Sequence, residues 1–436
     1  MRMATLSYIK QLKISKQKDN MQYVMSMCLL LATLIIARAI HHGFFYVFAA
    51  VSLVAFACSS ISHCFSLLLF LLPSGTILKM NINDISFFTV LFFVVVLKMI
   101  FAKKIFNRNM VFLIMAFAVY AVVFSGIGRV TTIVSMVAGL LMLYCLRTET
   151  INVNISIMSF ALGIVFASIL ALMKDSLPYI SMFVNDVLYR FAEDGYSSRF
   201  AGLQGNPNYY TMDIIVVLAV LITIMTYRET RRTHILCVVV LSIFGLMSIS
   251  KSFLISLVLL LVFWLFLSIR QGGTKLTNFI LVACIGSALV YFYAYDSINL
   301  YMQRFAVDSG SSLSDMTTGR TDIWKDYMNT IWHDPKILLF GNGLKSLIYT
   351  GRGAHNTYIE AFFSLGIVGV SLFCIILRKC TGKILVKPIM WIPVSMLLFR
   401  MFGITILTYD NLWFYLAIFV LLAKDMQDNS ITKREG

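Results

Sequence analysis

The sequence predicts an all-α fold, a polytopic transmembrane helical bundle of about 12–14 spans with two long outer loops that contain short helices. Three observations carry this. Hydrophobic residues make up 59% of the 436, against roughly 45–50% in soluble domains, and the mean hydropathy is +0.85. Charged residues amount to only 13% and gather in short clusters between apolar stretches. Those stretches recur along the whole chain, near the roughly 20 residues that a spanning helix needs, or somewhat fewer where flanking side chains snorkel. Residues 1–436 therefore read as a single integral membrane domain.

Hydropathy windows place the spans at 22–40, 44–58, 59–73, 85–101, 110–125, 130–146, 152–173, 209–226, 234–249, 251–269, 276–294, 356–377, 388–406 and 411–424. The 44–73 region is divided in two, because a single span there would put Lys103, Lys104 and Arg108 on the outer side. With it divided, the inner segments hold Lys103-Lys104, Arg228/Arg231/Arg232, Arg270/Lys275, Arg378-Lys379/Lys383/Lys387 and the tail Lys424/Lys433/Arg434. Both termini then fall in the cytoplasm of a bacterial inner-membrane protein. Arg2, Lys10, Lys13, Lys16 and Lys18 form an amino-terminal cytoplasmic tail that lacks a small-residue cleavage site. The net charge of +16 follows this positive-inside pattern and forms no stripe that would bind nucleic acid.

Acidic residues partition the other way. Asp175, Asp186, Glu193, Asp194, Asp296, Asp308, Asp315, Asp322, Asp326 and Asp334 all fall in two long loops, 174–208 and 295–354, which this topology places in the periplasm. Structureless loops beyond about 12–15 residues are usually functional or disordered. These two contain aromatic residues and an amphipathic stretch, Thr321 to Trp332, that suits a short helix on the membrane surface. Neither loop contains cysteine, the chain has no CxxC, and nothing in it calls for a structural zinc.

The first loop ends in Arg199-Phe-Ala-Gly-Leu-Gln-Gly-Asn206-Pro207-Asn208. Pro207 pushes Asn206 out of helical geometry and suits the first helical position, with Asn206 as the cap. A helix then starts outside and runs inward, turning its free N–H groups and positive dipole end outward beside Arg199. The alternative is a merely well-capped helix, with Arg199 gripping lipid head groups. The second loop ends in Arg352-Gly-Ala-His355-Asn356-Thr-Tyr358-Ile-Glu360, followed by Gly366 and Gly369. Asn356 is again a plausible cap, and the glycines would allow close packing below. His355, just ahead of the free N–H groups, has the chemistry of a general base at neutral pH, although a lone interfacial histidine is more often a polar anchor.

A third inward-running helix begins at Ser250-Lys251-Ser252, Arg320 and Trp324 share one face of the loop helix, and Arg304 is a further cation. Helix N-termini and arginines meeting at one face would stabilise an anion, a pyrophosphate above all. His41, His42 and His63 read as structural and His333 as turn chemistry. Asp213, Glu360 and Asp410 lie within or at the ends of spans, where carboxylates can mark a transport path. Without broken-helix pairs they make a thin case for a transporter.

At these blocks the chain resembles the O-antigen polymerase and O-antigen ligase superfamily of bacterial membrane glycosyltransferases. The matching text is Arg199…Gly202…Asn206-Pro207-Asn208, the Ser-Lys-Ser helix start at 250–252, Gly319-Arg320-Thr-Asp-Ile-Trp324, Phe340-Gly-Asn-Gly343, and His355-Asn356-Thr-Tyr358 with Gly366 and Gly369. Order and spacing match over roughly the C-terminal half; the first seven spans match in hydropathy alone. The resemblance implies an enzyme without cofactor or metal that takes a glycan from undecaprenyl pyrophosphate at the periplasmic face. Its partners would be lipid-linked donor and acceptor, the bilayer and a chain-length regulator protein. By similarity, Arg199 and Arg320 hold the pyrophosphate and His355 deprotonates the acceptor hydroxyl. Lys251 joins them where many relatives carry arginine, with Asn206, Asn208, Arg304, Arg352, Asn356 and Tyr358 in support. The long second loop and the His-Asn-Thr-Tyr form favour a polymerase over a ligase. A flippase or transporter remains the alternative from another class.

Overall fold

The computed structural model describes residues 2–81, 84–103, 107–184, 187–192, 195–228, 230–293, 299–302, 319–345, 347–348, 353–382 and 387–435. Side chains are described for these except residues 2–20, 178, 187–198, 285, 289, 290, 293 and 428–435. The first half contains α1 (Arg2–Ala39), α2 (Phe45–Cys58), α3 (Ile61–Leu71), α4 (Phe87–Ala102), α5 (Arg108–Ser125), α6 (Val130–Leu146), α7 (Val153–Leu172) and the single turn α8 (Pro178–Ser181). After a hairpin of β1 (Val187–Ala192) and β2 (Gly195–Arg199) come α9 (Pro207–Tyr227), α10 (Arg232–Leu246), α11 (Lys251–Gln271) and α12 (Gly273–Tyr293). The chain ends with α13 (Arg320–His333), α14 (Pro335–Phe340), α15 (Thr357–Thr381), α16 (Trp391–Met401) and α17 (Asp410–Glu435).

Each predicted span coincides with a helix, so the fold class stands as a polytopic helical membrane protein. Among the described residues, seven helices are long and apolar enough to cross a membrane. The division of 44–73 is also found. α2 and α3 are separate helices, and the Ser60 hydroxyl at the break accepts from the His63 amide. The first loop differs from its prediction of short helices. Beyond the turn of α8 it folds back as an antiparallel hairpin that pairs Val187 with Arg199 and Tyr189 with Ser197. Its alternating Val, Tyr, Phe and Tyr suit a strand better than a short helix.

α9 is the axis of the bundle. Ile214 to Ile222 is apolar on every side, and a helix of that kind must be enclosed. In its spanning window 94% of residues are buried, packed by α7, α10, α11, α16 and α17. α17 fills the other half of the core with Trp413, Phe414, Tyr415 and Phe419. The outer helices keep apolar faces turned away from this core, with Phe112, Met115, Val119 and Val123 of α5 and Val258, Val262, Phe266 and Ile269 of α11 all exposed. A bilayer solvates such faces.

α13 realises the amphipathic stretch predicted in the second loop. Ile323, Tyr327 and Ile331, four residues apart, form a small second core with Ile337 of α14, Phe363 of α15 and Ala354 in the segment ahead of α15. Below it, α15 is broken. Gly366 takes φ +60° and ψ −177°, which frees carbonyls that an unbroken helix would use itself. The Asn342 and Gly343 amides donate to Phe363 and Ser364 at 2.7 and 3.0 Å, and the Tyr120 hydroxyl reaches the Leu365 carbonyl at 2.6 Å. Of the two glycines read as packing positions, Gly369 lies against the Tyr120 ring and Gly366 brings backbone against backbone. A Cβ on Gly366 would stand 2.5 Å from the Gly341 amide, and one on Gly341 2.4 Å from the Ser364 carbonyl.

At the far end from α13 the inner-predicted clusters meet. Arg228 pairs with Asp425 at 2.5 Å, Lys424 donates to the Glu149 carbonyl at 2.7 Å and Arg147 to the Lys379 carbonyl at 2.9 Å. Lys275 donates to the carbonyls of Met225 and Arg228. Lys104 and Lys383 lie outside the described residues.

Gly366→Ala is expected to destabilise the detergent-solubilised protein by about 2–3 kcal/mol, from positive φ and backbone collision together. Gly286→Ala, at an ordinary φ with open space around it, is expected to leave the unfolding temperature nearly unchanged.

Candidate functional site

Three helix N-termini are brought together at the end opposite the basic clusters. Asn206 caps α9, its side chain accepting from the Asn208 amide at 2.9 Å, with Pro207 at the first helical position. Asn208 turns its own side-chain oxygen to the Ser250 hydroxyl at 3.0 Å, which joins the start of α9 to the start of α11. Asn356 caps α15 by accepting from the amides of Tyr358 and Ile359 at 3.0 and 3.2 Å.

The segment between α16 and α17 ties the third terminus to the first two. Thr357 donates to the Ile404 carbonyl at 2.7 Å and Tyr209 to the Thr405 carbonyl at 2.7 Å, so α15 and α9 bond to adjacent peptide units. Arg320, at the start of α13, donates to the Gly403 carbonyl at 3.0 Å, and Tyr358 to Leu398 at 2.9 Å. Trp324 donates to the Ala354 carbonyl at 2.9 Å. That bond fixes the residue before His355 to the same helix face that carries Arg320.

His355 itself takes φ +48°, a left-handed conformation that histidine tolerates better than most residues. This turn sends the chain from α13 into the cap of α15 and leaves the imidazole exposed at the mouth of the site. Partial enclosure, and then the charge of Arg320, hold its pKa below the ordinary histidine value. The ring is therefore neutral near pH 7 and able to accept a proton.

The cations differ in setting. Arg199, delivered by the hairpin, is buried and donates from Nε to the Ser248 carbonyl at 3.0 Å, just ahead of α11. Lys251 opens α11 and is half-buried. Arg320 is half-buried between α13 and Gly403. Arg304 and Arg352 lie outside the described residues.

Sequence reasoning passed over Arg400. It is 2% exposed and donates to the Asn208 carbonyl at 2.8 Å, the Thr211 hydroxyl at 2.7 Å and the Ser252 hydroxyl. It binds α9, α11 and α16 at one point, and its charge acts on Arg320. No carboxylate pairs with it among the described residues, and its Nε has no hydrogen-bond partner there. The signal was available: an arginine inside an apolar stretch is expensive and is rarely kept without a use.

The carboxylates divide. Asp213 accepts from Gln204, from Tyr415 and from Asn411 at 2.9 Å, which ties the loop before α9 to α17. Asp410 accepts from Ser135. Both are satisfied as structural groups. Glu360, one turn into α15, keeps one buried oxygen without a hydrogen bond among the described residues.

Beside the capped start of α9 lies a cavity of about 430 Å³, lined by Lys79, Gln204, Asn206, Tyr209, Tyr409 and Asp410 among others. Lys79, Tyr409 and Asp410 also line a neighbouring cavity of about 760 Å³, whose walls at Val90, Phe93 and Val134 belong to α4 and α6. Arg38 secures this side by donating to the carbonyls of Ile77 and Lys79, and the Thr76 hydroxyl donates to Leu203 in the loop before Asn206.

Arg400→Lys keeps the charge but cannot span three acceptors with one ammonium. It is expected to cost about 1–3 kcal/mol of stability, read as a lower unfolding temperature in detergent.

Residues 214–374 match the profile of a protein family described as O-antigen ligase. The matched stretch starts in the second turn of α9 and ends within α15, and it contains Lys251, Arg320, His355, Asn356 and Tyr358. Arg199, Asn206 and Asn208 precede it and Arg400 follows it. Comparison with curated proteins gives no match. The match falls on segments that build this end of the bundle and supports a likeness to the O-antigen ligase and polymerase superfamily of glycan-transferring membrane proteins.

Proposed function

We propose that this protein is a polymerase that joins lipid-linked oligosaccharide repeat units at the periplasmic face of the bacterial inner membrane, with undecaprenyl pyrophosphate as the donor's carrier. The observation that carries the reading is the meeting of three helix N-termini with Arg199, Lys251, Arg320 and Arg400, where no carboxylate pairs with Arg400 among the described residues. Such a place is electrostatically incomplete without an anion. The two neighbouring cavities add support. Their lining is polar near Asn206 and Tyr209 and apolar at Val90, Phe93 and Val134, which suits a ligand with a charged head and a long hydrocarbon tail.

In the proposed reaction the acceptor hydroxyl attacks the anomeric carbon of the donor. A carbon–oxygen bond forms as the bond to the diphosphate oxygen breaks. The hydroxyl proton passes to His355, and the departing lipid diphosphate carries the bonding pair. A diphosphate leaves as an anion and needs charge stabilisation rather than a proton, which Arg199, Arg320 and Lys251 supply. No step requires a metal. Asn206, Asn208, Asn356 and Tyr358 hold these groups in place.

A transporter reading gains nothing from the broken α15. The carbonyls freed at Gly366 are taken up by residues 342–343 and Tyr120, so they are not presented to an ion.

His355→Ala and Arg199→Ala are each expected to abolish long-chain glycan in a complemented deletion strain while membrane abundance stays unchanged. Full-length ladders from either variant would overturn the assignment. The surface glycan of the deletion strain separates the two enzymes of the superfamily: core with one repeat unit indicates a polymerase, and bare core with accumulated lipid-linked polymer a ligase.

The pH dependence gives a further check. Arg320→Gln removes a charge that disfavours the imidazolium, so the His355 pKa rises and the basic form is lost at higher pH. The acid limb of the pH–rate profile for glycan transfer in vesicles is expected to move upward in that variant.

A further inference from the structure

The basic end of the bundle contains a cavity that the glycan-transfer site does not use. It has a volume of about 630 Å³ and opens between α5, α6 and α15. Arg147, Arg378 and Lys379 line it together with Asn107 and Tyr144, and no carboxylate lines it among the described residues. Lys103 adds a fourth cation at its edge, placed 3.5 Å over the Tyr144 ring and donating to the Tyr144 carbonyl at 3.3 Å. The wall is built rather than incidental, since Arg147 bridges α6 to α15 through the Lys379 carbonyl and the Asn107 amide donates to the Tyr144 hydroxyl at 3.0 Å. The acidic group close by in sequence, Glu149, lies outside the lining.

The cavity also has an apolar exit. Ile375 lines it and is 49% exposed, and Phe112, Met115 and Val119 continue an exposed apolar strip along α5 toward the opposite end. A phosphate placed among the cations would therefore have acyl chains leaving along a surface already suited to them. A soluble anion would use the charge and leave the strip idle.

We propose that this cavity binds the head group of an anionic glycerophospholipid, with phosphate oxygens on Arg147, Arg378 and Lys379 and acyl chains along α5 and α15. Guanidinium groups suit this recognition because their paired donors match phosphate oxygens. A lipid whose phosphate is balanced by its own ammonium would gain less from four cations.

The test uses full-length protein purified in detergent and exchanged with an equimolar mixture of phosphatidylglycerol, cardiolipin and phosphatidylethanolamine, with retained lipid read by native mass spectrometry. Wild type is expected to retain an anionic lipid in preference to phosphatidylethanolamine. Arg147→Gln/Arg378→Gln/Lys379→Gln should lower that retention about tenfold or more. Arg231→Gln/Arg232→Gln/Arg270→Gln, which removes the same charge away from the cavity, should retain lipid as wild type does. Arg378→Gln alone, outside the Arg147–Lys379 bridge, should show a partial loss and guards against a triple variant that fails to fold. Three results would overturn the proposal: no preference for anionic lipid in wild type, equal losses in the two triple variants, or full displacement of the lipid by millimolar inorganic phosphate.

Discussion

Arg400 sits in a helix whose neighbours are almost all apolar, and the free energy of keeping a guanidinium there sets what the surrounding chain must supply. An unpaired buried charge costs several kcal/mol even after relaxation. The protein offsets this with neutral oxygens and not with a carboxylate: a backbone carbonyl at the mouth of α9, a threonine hydroxyl one turn down, and a serine hydroxyl at the start of α11. Those acceptors stand together because α9 and α11 start at the same level, α9 capped by Asn206 and joined to α11 through the Ser250–Asn208 bond. The arginine and the paired N-termini are thus one device. Separate the two starts and the charge loses its acceptors; remove the charge and two polar helix starts are left against each other in an apolar core.

The same economy explains the segment 402–409. Its carbonyls at Gly403, Ile404 and Thr405 accept from Arg320, Thr357 and Tyr209 in turn. A short stretch of irregular backbone at membrane depth is tolerated where protein satisfies it. Here the satisfying groups come from three separate parts of the chain, and the segment thereby registers them against one another. The broken α15 obeys the same rule, its freed carbonyls matched by amides from 342–343 and by Tyr120. Irregularity is concentrated where positioning is needed, and the remaining helices are left to packing.

Much of this was legible in the sequence, and the reasons are local. Asn-Pro-Asn and His-Asn-Thr write their caps into three residues each, and the caps form as the residues dictate. The apolar stretches placed the helices, and the sidedness of Lys103, Lys104 and Arg108 placed the break near Ser60. The amphipathic stretch Thr321 to Trp332 predicted α13 to within a residue at each end. The hairpin of 187–199 was legible but passed over, since Asp194-Gly195 is a strong hairpin dipeptide between runs of alternating apolar residues. Two things were not legible. The Gly366 break is invisible as hydropathy, because glycine in a span suits close packing and a break equally. The partners of Arg400 lie 148 to 192 residues away in the chain, so the sequence could show an intramembrane cation but not what it holds.

The setting of the two chemically different groups suits the proposed reaction. A residue that receives a proton from a substrate hydroxyl has to meet that hydroxyl, and His355 is exposed at the mouth, on a left-handed turn that holds its backbone. A cation that stabilises a departing diphosphate gains most where water is excluded, because the field of a charge is weakened least in a low dielectric. Arg199 and Arg400 are buried, and half-buried Arg320 acts electrostatically on both His355 and Arg400. The gradient from exposed base to buried cation runs from the open mouth into the bundle. A substrate with its reacting sugar outside, its phosphates at the helix ends and its tail against α4 and α6 would lie along that same line.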